Sequence, residues 1–192
     1  MEIFVSIFYA ICGLSYTILA GKGKFICFIF GLLSAFLYSY LAFKKALWGS
    51  FLLNFCYYIP IQFLSLYKWY KNTNKKTKTI EKTRLGLKKF MLFCLMGFLA
   101  SLLASYVLFL NHDKSPILDG FIIIFSILGM YLTLLRVIEQ WIVWTIVNFM
   151  TLLMWVILIL QGSSAIPVTI LWGIYLILGI KFYWDWKKEL RL

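Results

Sequence analysis

Long apolar runs, broken at short intervals by charged or turn-forming residues, dominate this 192-residue chain. A helix crosses the hydrocarbon layer of a bilayer with about 20 residues. Seven runs approach that length: 3–20, 25–43, 46–67, 90–110, 120–136, 141–160 and 165–183. The breaks are Gly21-Lys22-Gly23-Lys24, Lys44-Lys45, the segment 68–89, and the stretches 111–116 and 161–164. Only Arg136-Val137-Ile138-Glu139-Gln140 divides the fifth run from the sixth, which predicts a tight turn. No basic residue precedes the first run and no small-residue cleavage site follows it, so it reads as a retained helix and not a signal peptide. The pattern predicts an all-α polytopic membrane protein with seven transmembrane helices.

The spacing also groups the runs. Three stand close together before the segment 68–89, one follows it, and three more complete the chain. This sets out 1–67 as a first three-helix bundle, 68–89 as a basic cytoplasmic linker, 90–110 as a central helix and 119–192 as a second bundle. Transporters built from parallel three-helix repeats need such a central helix to restore the orientation of the second triplet. The short stretches Leu53-Asn54-Phe55 and Val147-Asn148-Phe149 look alike but would fall on oppositely directed helices, so they are not that repeat.

Composition narrows the class. The chain is 63% hydrophobic and 14% charged, with a mean hydropathy of +0.90. Soluble domains average about 45–50% apolar and about 25% charged residues. This balance excludes an ordinary soluble enzyme, a disordered chain and a soluble nucleic-acid binder. The net charge of +12 reports topology instead. With loops alternating between faces, 16 of the 19 Lys and Arg residues share one face, and only Lys44, Lys45 and Lys114 lie on the other. The positive-inside rule places the first face in the cytoplasm, hence the N-terminus outside and the C-terminus inside. The stretch 71–84 lacks the interleaved aromatics used to bind single strands, so it reads as a solvated linker with no nucleic-acid partner. Cys12, Cys27, Cys56 and Cys94 all lie inside apolar runs without a CxxC pair and read as buried small hydrophobes.

Polar side chains inside a span are costly in lipid and usually face a bundle interior or a cavity. In the third span Asn54, Tyr58 and Gln62 recur at i, i+4 and i+8, with Ser65 and Trp69 close to the same stripe. Pro60 removes a backbone donor there and predicts a kink. In the sixth span Trp141, Trp144 and Asn148 recur at i, i+3 and i+7. Two indoles can sandwich a flat aromatic ligand, and a carboxamide offers it a paired donor and acceptor. The competing reading of both stripes is helix packing with Asn and Gln as hydrogen-bonding glue. Arg136 and Glu139, spaced i, i+3, suit either a local ion pair or a gate. Asp119 opens the fifth span and would cap it. Trp48, Trp155, Trp172, Trp184 and Trp186 sit near span ends as belt residues.

Other chemistries find no footing. There is no GxxxxGK[ST] loop for an ATP motor. His112, the single histidine, stands in a loop beside Asp113 without partners for a metal site, and no cofactor motif is present. No carboxylate lies in mid-span to hold a proton or Na⁺, which favours a facilitator over a pump.

Two motifs then carry a resemblance. Arg136-x-x-Glu139-Gln140-Trp141-x-x-Trp144-x-x-x-Asn148, together with Asn54-x-x-Tyr57-Tyr58-x-Pro60-x-Gln62 and the downstream Trp69, resembles the signature of the PnuC family of bacterial vitamin transporters. Asp119 also fits, whereas Ser65 stands where the family often has Gly. The resemblance implies a 3+1+3 bundle of SWEET-like architecture in the bacterial inner (cytoplasmic) membrane, and a homotrimer. It implies uptake of nicotinamide riboside by facilitated diffusion, with trapping by a cytoplasmic kinase. It places Trp141, Trp144 and Asn148 at the substrate, with Asn54, Tyr58 and Gln62 from the third span. Arg136, Glu139 and Pro60 are then gate or structural residues. Thiamine or riboflavin as cargo of the same machine is the alternative. A non-transporting membrane scaffold that binds a partner through Lys75, Lys76 and Lys78 is the reading of a different class.

Overall fold

The computed structural model describes residues 2–44, 51–112, 115–162 and 166–190. Among these, seven helices follow one another: α1 (Glu2–Gly21), α2 (Cys27–Lys44), α3 (Ile59–Lys71), α4 (Leu87–Leu110), α5 (Pro116–Leu134), α6 (Gln140–Leu160) and α7 (Ile166–Glu189). A π-helical stretch, Leu53–Tyr58, leads directly into α3. Helices α2, α4, α5, α6 and α7 are long and apolar enough to cross a membrane, and α1 holds a shorter apolar stretch, Ile7–Gly21. Lys45, Trp48, Asp113 and Lys114, all singled out above, lie outside the described residues.

The chain divides into two compact units, Met1–Glu81 and Lys82–Leu192. In the first, α1 and the π-helical stretch with α3 both pack on α2. The buried face of α2 is small: Gly31, Ala35, Ser39 and Ala42 recur at helical spacing. Small residues let helix backbones approach closely, which is how helices associate in lipid. The α1–α2 turn is a Schellman motif. Gly23 takes the left-handed conformation (φ 67°), the Gly23 N–H donates to the Ala20 carbonyl, and the Lys24 N–H donates to the Leu19 carbonyl, both at 2.9 Å.

Pro60 does not simply bend a continuous α-helix. It stands in the first turn of α3, after a π-helical stretch in which the Ile59 N–H donates to the Asn54 carbonyl five residues back. A proline leaves one carbonyl without its usual donor, and a π turn is one way to absorb that loss.

The segment expected as a solvated linker is folded, and its edges are helical. Residues 68–71 belong to α3, where Lys68 and Lys71 favour the helix C-terminus, and 87–89 belong to α4. Thr73 and Ile80 form an antiparallel bridge, and the Ile80 N–H donates to the Gly23 carbonyl at 2.9 Å, pinning this hairpin to the α1–α2 turn. In the second unit, Thr83 pairs with the α5–α6 turn: its N–H donates to the Arg136 carbonyl and its carbonyl accepts from Ile138, both at 3.0 Å. The side chain of Lys82 is 6% exposed, ion-paired with Glu189, its ammonium 4.9 Å from the centre of the Trp186 ring. Trp186 is fully buried and so belongs to the core, not to an interfacial belt.

The second unit also corrects two local readings. Helix α5 begins at Pro116, whose preset φ suits the first turn, so Asp119 lies within that turn and not at the cap. Cys12 and Cys27 are buried as expected, but Cys94 is half-buried and Cys56, in the first unit, is exposed. Along α4 the buried positions are Gly97, Ser101 and Ser105, a small-residue seam against α5, while Leu95, Leu99 and Leu103 are more than half exposed. Apolar exposure on that scale is covered by lipid, not water.

The seam makes a specific demand at Gly120. A Cβ there would lie 2.7 Å from the Ser105 backbone nitrogen, which cannot move without shifting α4. G120A is expected to destabilise the purified protein by about 1–3 kcal/mol through overpacking. G173A, with nothing within 4 Å of the added methyl, is expected to be neutral or slightly stabilising. Thermal unfolding in one detergent compares the two.

Candidate functional site

The α5–α6 turn sets up the second motif. Arg136 takes the left-handed conformation (φ 63°) at the position a glycine usually fills after a helix, its N–H donating to the Thr133 carbonyl at 3.0 Å. Residues 135–139 are therefore a turn and not helix, and the i, i+3 pairing expected for Arg136 and Glu139 has no helical surface to act on. Instead the Glu139 Oε2 accepts the Leu85 N–H at 3.0 Å. Gln140, 1% exposed, donates its Nε2 to the Val137 carbonyl at 3.0 Å.

From there α6 carries Trp141, Trp144 and Asn148. They share the helix but engage different neighbours. Trp141, 3% exposed, packs on α7, its ring centre 5.2 Å from Phe182 and 5.8 Å from Trp186. Its Nε1–H is buried with no hydrogen-bond partner in the protein. Trp144 leans on α5: its Nε1–H donates to Thr133 Oγ1 at 3.1 Å, and its indole lies over Gly129. A Cβ at Gly129 would stand 3.0 Å from that ring, so the glycine makes the seat. Asn148 turns to α7, its Nδ2 donating to the Tyr175 carbonyl at 3.0 Å. Gly179 admits this approach, since a Cβ there would meet Thr145 Oγ1 at 2.9 Å and Asn148 Nδ2 at 3.7 Å.

The first unit carries the other motif. Asn54 sits in the π-helical stretch, half-buried, and Tyr58 packs on the cluster of Leu32, Ala35 and Ile59. Because a π turn inserts an extra residue, Asn54 is rotated away from the straight α-helical stripe that i, i+4, i+8 spacing describes. Gln62 is 7% exposed, and its amide fills the space over Gly31, where a Cβ would collide at 1.9 Å. Its Oε1 is buried with no hydrogen-bond partner in the protein, as are the hydroxyls of Ser39 and Ser65. The structure thus places Trp141, Trp144 and Asn148 on one helix of the second unit, and Asn54, Tyr58, Pro60 and Gln62 within the first.

Sequence reading missed Thr133, Tyr175 and the glycines at 31, 129 and 179. Single glycines inside the apolar runs were the available signal, since a glycine in a helix interior is costly unless something must come close. Among the described residues, no cluster of His, Cys, Asp and Glu has the makings of a metal site.

Comparison with known proteins is consistent with this chemistry. A family model described as "Nicotinamide mononucleotide transporter" matches residues 3–188. The chain is 29% identical over 189 residues to the nicotinamide riboside transporter PnuC of Neisseria mucosa, covering 95% of this chain and 71% of the relative. It is 25% identical over 183 residues to the protein of the same name from Haemophilus influenzae, covering 94% and 78%. A crystal structure of the vitamin B3 transporter PnuC superposes with a TM-score of 0.79 at 28% identity, over 96% of this chain and 81% of that one. With nearly its whole length matched, the chain belongs to the nicotinamide mononucleotide transporter (PnuC) family of membrane transporters.

Proposed function

We propose that the protein takes up nicotinamide riboside by facilitated diffusion across the bacterial inner membrane, and that a cytoplasmic kinase traps the vitamin by phosphorylation. The observation that carries the reading is a pair of unsatisfied polar atoms on two motif residues, the Trp141 Nε1–H and the Gln62 Oε1. A buried group without a partner costs about 1–3 kcal/mol and calls for an explanation. A substrate rich in hydroxyl and carboxamide groups offers partners of the kind each of them lacks. Trp144 would give the cationic pyridinium an aromatic face. Asn148 would pair with the carboxamide through its Oδ1, with Asn54 and Tyr58 completing the site. The two relatives, both nicotinamide riboside transporters by name, support this cargo.

In this reading α1–α3 and α5–α7 are the two triplets of a 3+1+3 bundle, α4 restores the orientation of the second, and transport is by alternating access. Pro60, at its π turn, and Arg136 with Glu139, at the α5–α6 turn, would be the flexing points. Charge placement supports an external N-terminus and a cytoplasmic C-terminus. The resemblance to PnuC proteins supports assembly as a homotrimer.

Three outcomes test the reading in proteoliposomes. W141F keeps an aromatic ring against Phe182 and Trp186 but removes the N–H together with the rest of the pyrrole ring. It is expected to weaken nicotinamide riboside binding by about five-fold, one hydrogen bond's worth, and to lower thermal stability modestly through the packing lost with the smaller ring. W144A and N148A are expected to abolish detectable uptake while the protein still folds, and unchanged affinity in both would remove these residues from the site. Uptake is expected to be insensitive to a protonophore and to replacement of Na⁺, and greater uptake of thiamine or riboflavin would reassign the cargo.

A further inference from the structure

Where the α1–α2 turn meets the end of α3, the first unit holds a cavity of about 520 Å³ lined by Lys24, Phe25, Tyr70, Lys71, Lys75 and Lys78. Thr73, Asn74 and Ile26 complete the wall, and no acidic residue takes part in it. Four like charges around one space repel each other, so their collection needs a rigid frame and favours an anion between them.

The frame is present. The lysines come from three separately fixed backbone segments. Lys24 belongs to the Schellman turn, Lys71 ends α3, and Lys75 and Lys78 belong to the hairpin clamped to Gly23. Within the hairpin the Asn74 N–H donates to the Thr79 carbonyl at 2.9 Å, and Asn74 Oδ1 accepts the Lys76 N–H at 2.9 Å. Lys78 holds a left-handed backbone (φ 54°), its N–H donating to the Asn74 carbonyl at 2.9 Å. The edge-to-face pair of Phe25 and Tyr70, with ring centres 5.3 Å apart, forms an aromatic lip.

What lies beyond the lip selects the ligand. Ile26, Ile29 and Leu33 are exposed at helical spacing, and Phe63, Tyr67 and Tyr70 are exposed along α3. A basic cavity that opens onto apolar helix surfaces at the helix ends suits an amphiphile with an anionic head. A free nucleotide would use the lysines and leave the apolar surfaces idle. We propose that this cavity binds the headgroup phosphate of an anionic phospholipid whose acyl chains lie along α2 and α3. The site is independent of which vitamin is carried.

Native mass spectrometry of the purified protein tests it, with phosphatidylglycerol and phosphatidylcholine offered together. The wild-type chain is expected to retain phosphatidylglycerol preferentially. The variant K24Q/K71Q/K75Q/K78Q is expected to lose that preference by at least about ten-fold, given the attraction each lysine contributes. The charge-matched control K22Q/K88Q/K89Q/K188Q, altered at exposed lysines outside the cavity, is expected to keep it. The pair K75Q/K78Q, confined to the hairpin, is expected to give an intermediate loss and decides the matter if the fourfold variant does not fold. Equal losses in the cavity variant and the control would overturn the proposal. So would displacement of the lipid by equimolar inorganic phosphate or a nucleoside monophosphate, which would make this a site for soluble phosphates.

Discussion

Leucine packed on leucine gains almost nothing when the surroundings are already hydrocarbon, so helices in lipid are held by close backbone approach and by polar contacts. This chain meets that constraint with glycine and serine, and its candidate site is built from the same positions. Gln62 lies over Gly31, Trp144 over Gly129, and Asn148 beside Gly179. At Gly31 and Gly129 a motif side chain occupies the volume that the missing Cβ leaves open, and at Gly179 that volume is taken by Thr145, one turn before Asn148. Packing and recognition are therefore closely tied here: a methyl group added at Gly31 or Gly129 would press directly on Gln62 or Trp144.

Hydrogen bonding adds a second layer to the same arrangement. Thr133 links α5 to α6 by accepting from Trp144 Nε1 while donating to the Gly129 carbonyl at 2.9 Å. Asn148 links α6 to α7 through the Tyr175 carbonyl. These contacts match the packing role that Asn and Trp fill between helices, and they orient the indole and the amide. The buried Trp141 Nε1–H and Gln62 Oε1 fall outside that network.

Most of the fold was legible because a membrane span is a long, redundant signal. The helix ends matched the hydrophobic runs to within a few residues, apart from the third run, whose start lies outside the described residues and which is π-helical over Leu53–Tyr58, the segment 68–89 and the extension of α7 to Glu189. What escaped was decided by single bonds between distant positions. Nothing local marks Thr83 as the partner of the 136–138 turn, or Lys82 as the partner of Trp186 and Glu189. A run of lysines and threonines therefore read as a solvated linker, and its tip at 74–78 is exposed, but its fixed hairpin and ties were not legible. The π turn before Pro60 escaped because proline announces a broken bond and not how the break is absorbed. For the site, spacing placed Trp141, Trp144 and Asn148 on one helix but carried no information on which neighbour each would face.

The tie between Lys82 and Glu189 has a consequence for the order of assembly. The two residues are 107 positions apart, and a chain made from its N-terminus cannot close this contact until α7 has emerged. By contrast the bond from Ile80 to Gly23 is available as soon as the first unit has been synthesised. Residues on either side of the boundary at 81–82 are thus fixed at opposite ends of biosynthesis. Thr83 gains its partners once the α5–α6 turn has been made, whereas Lys82 waits for the Trp186 ring and Glu189 of the last helix, so the stretch that follows the first unit is fixed in two separate steps.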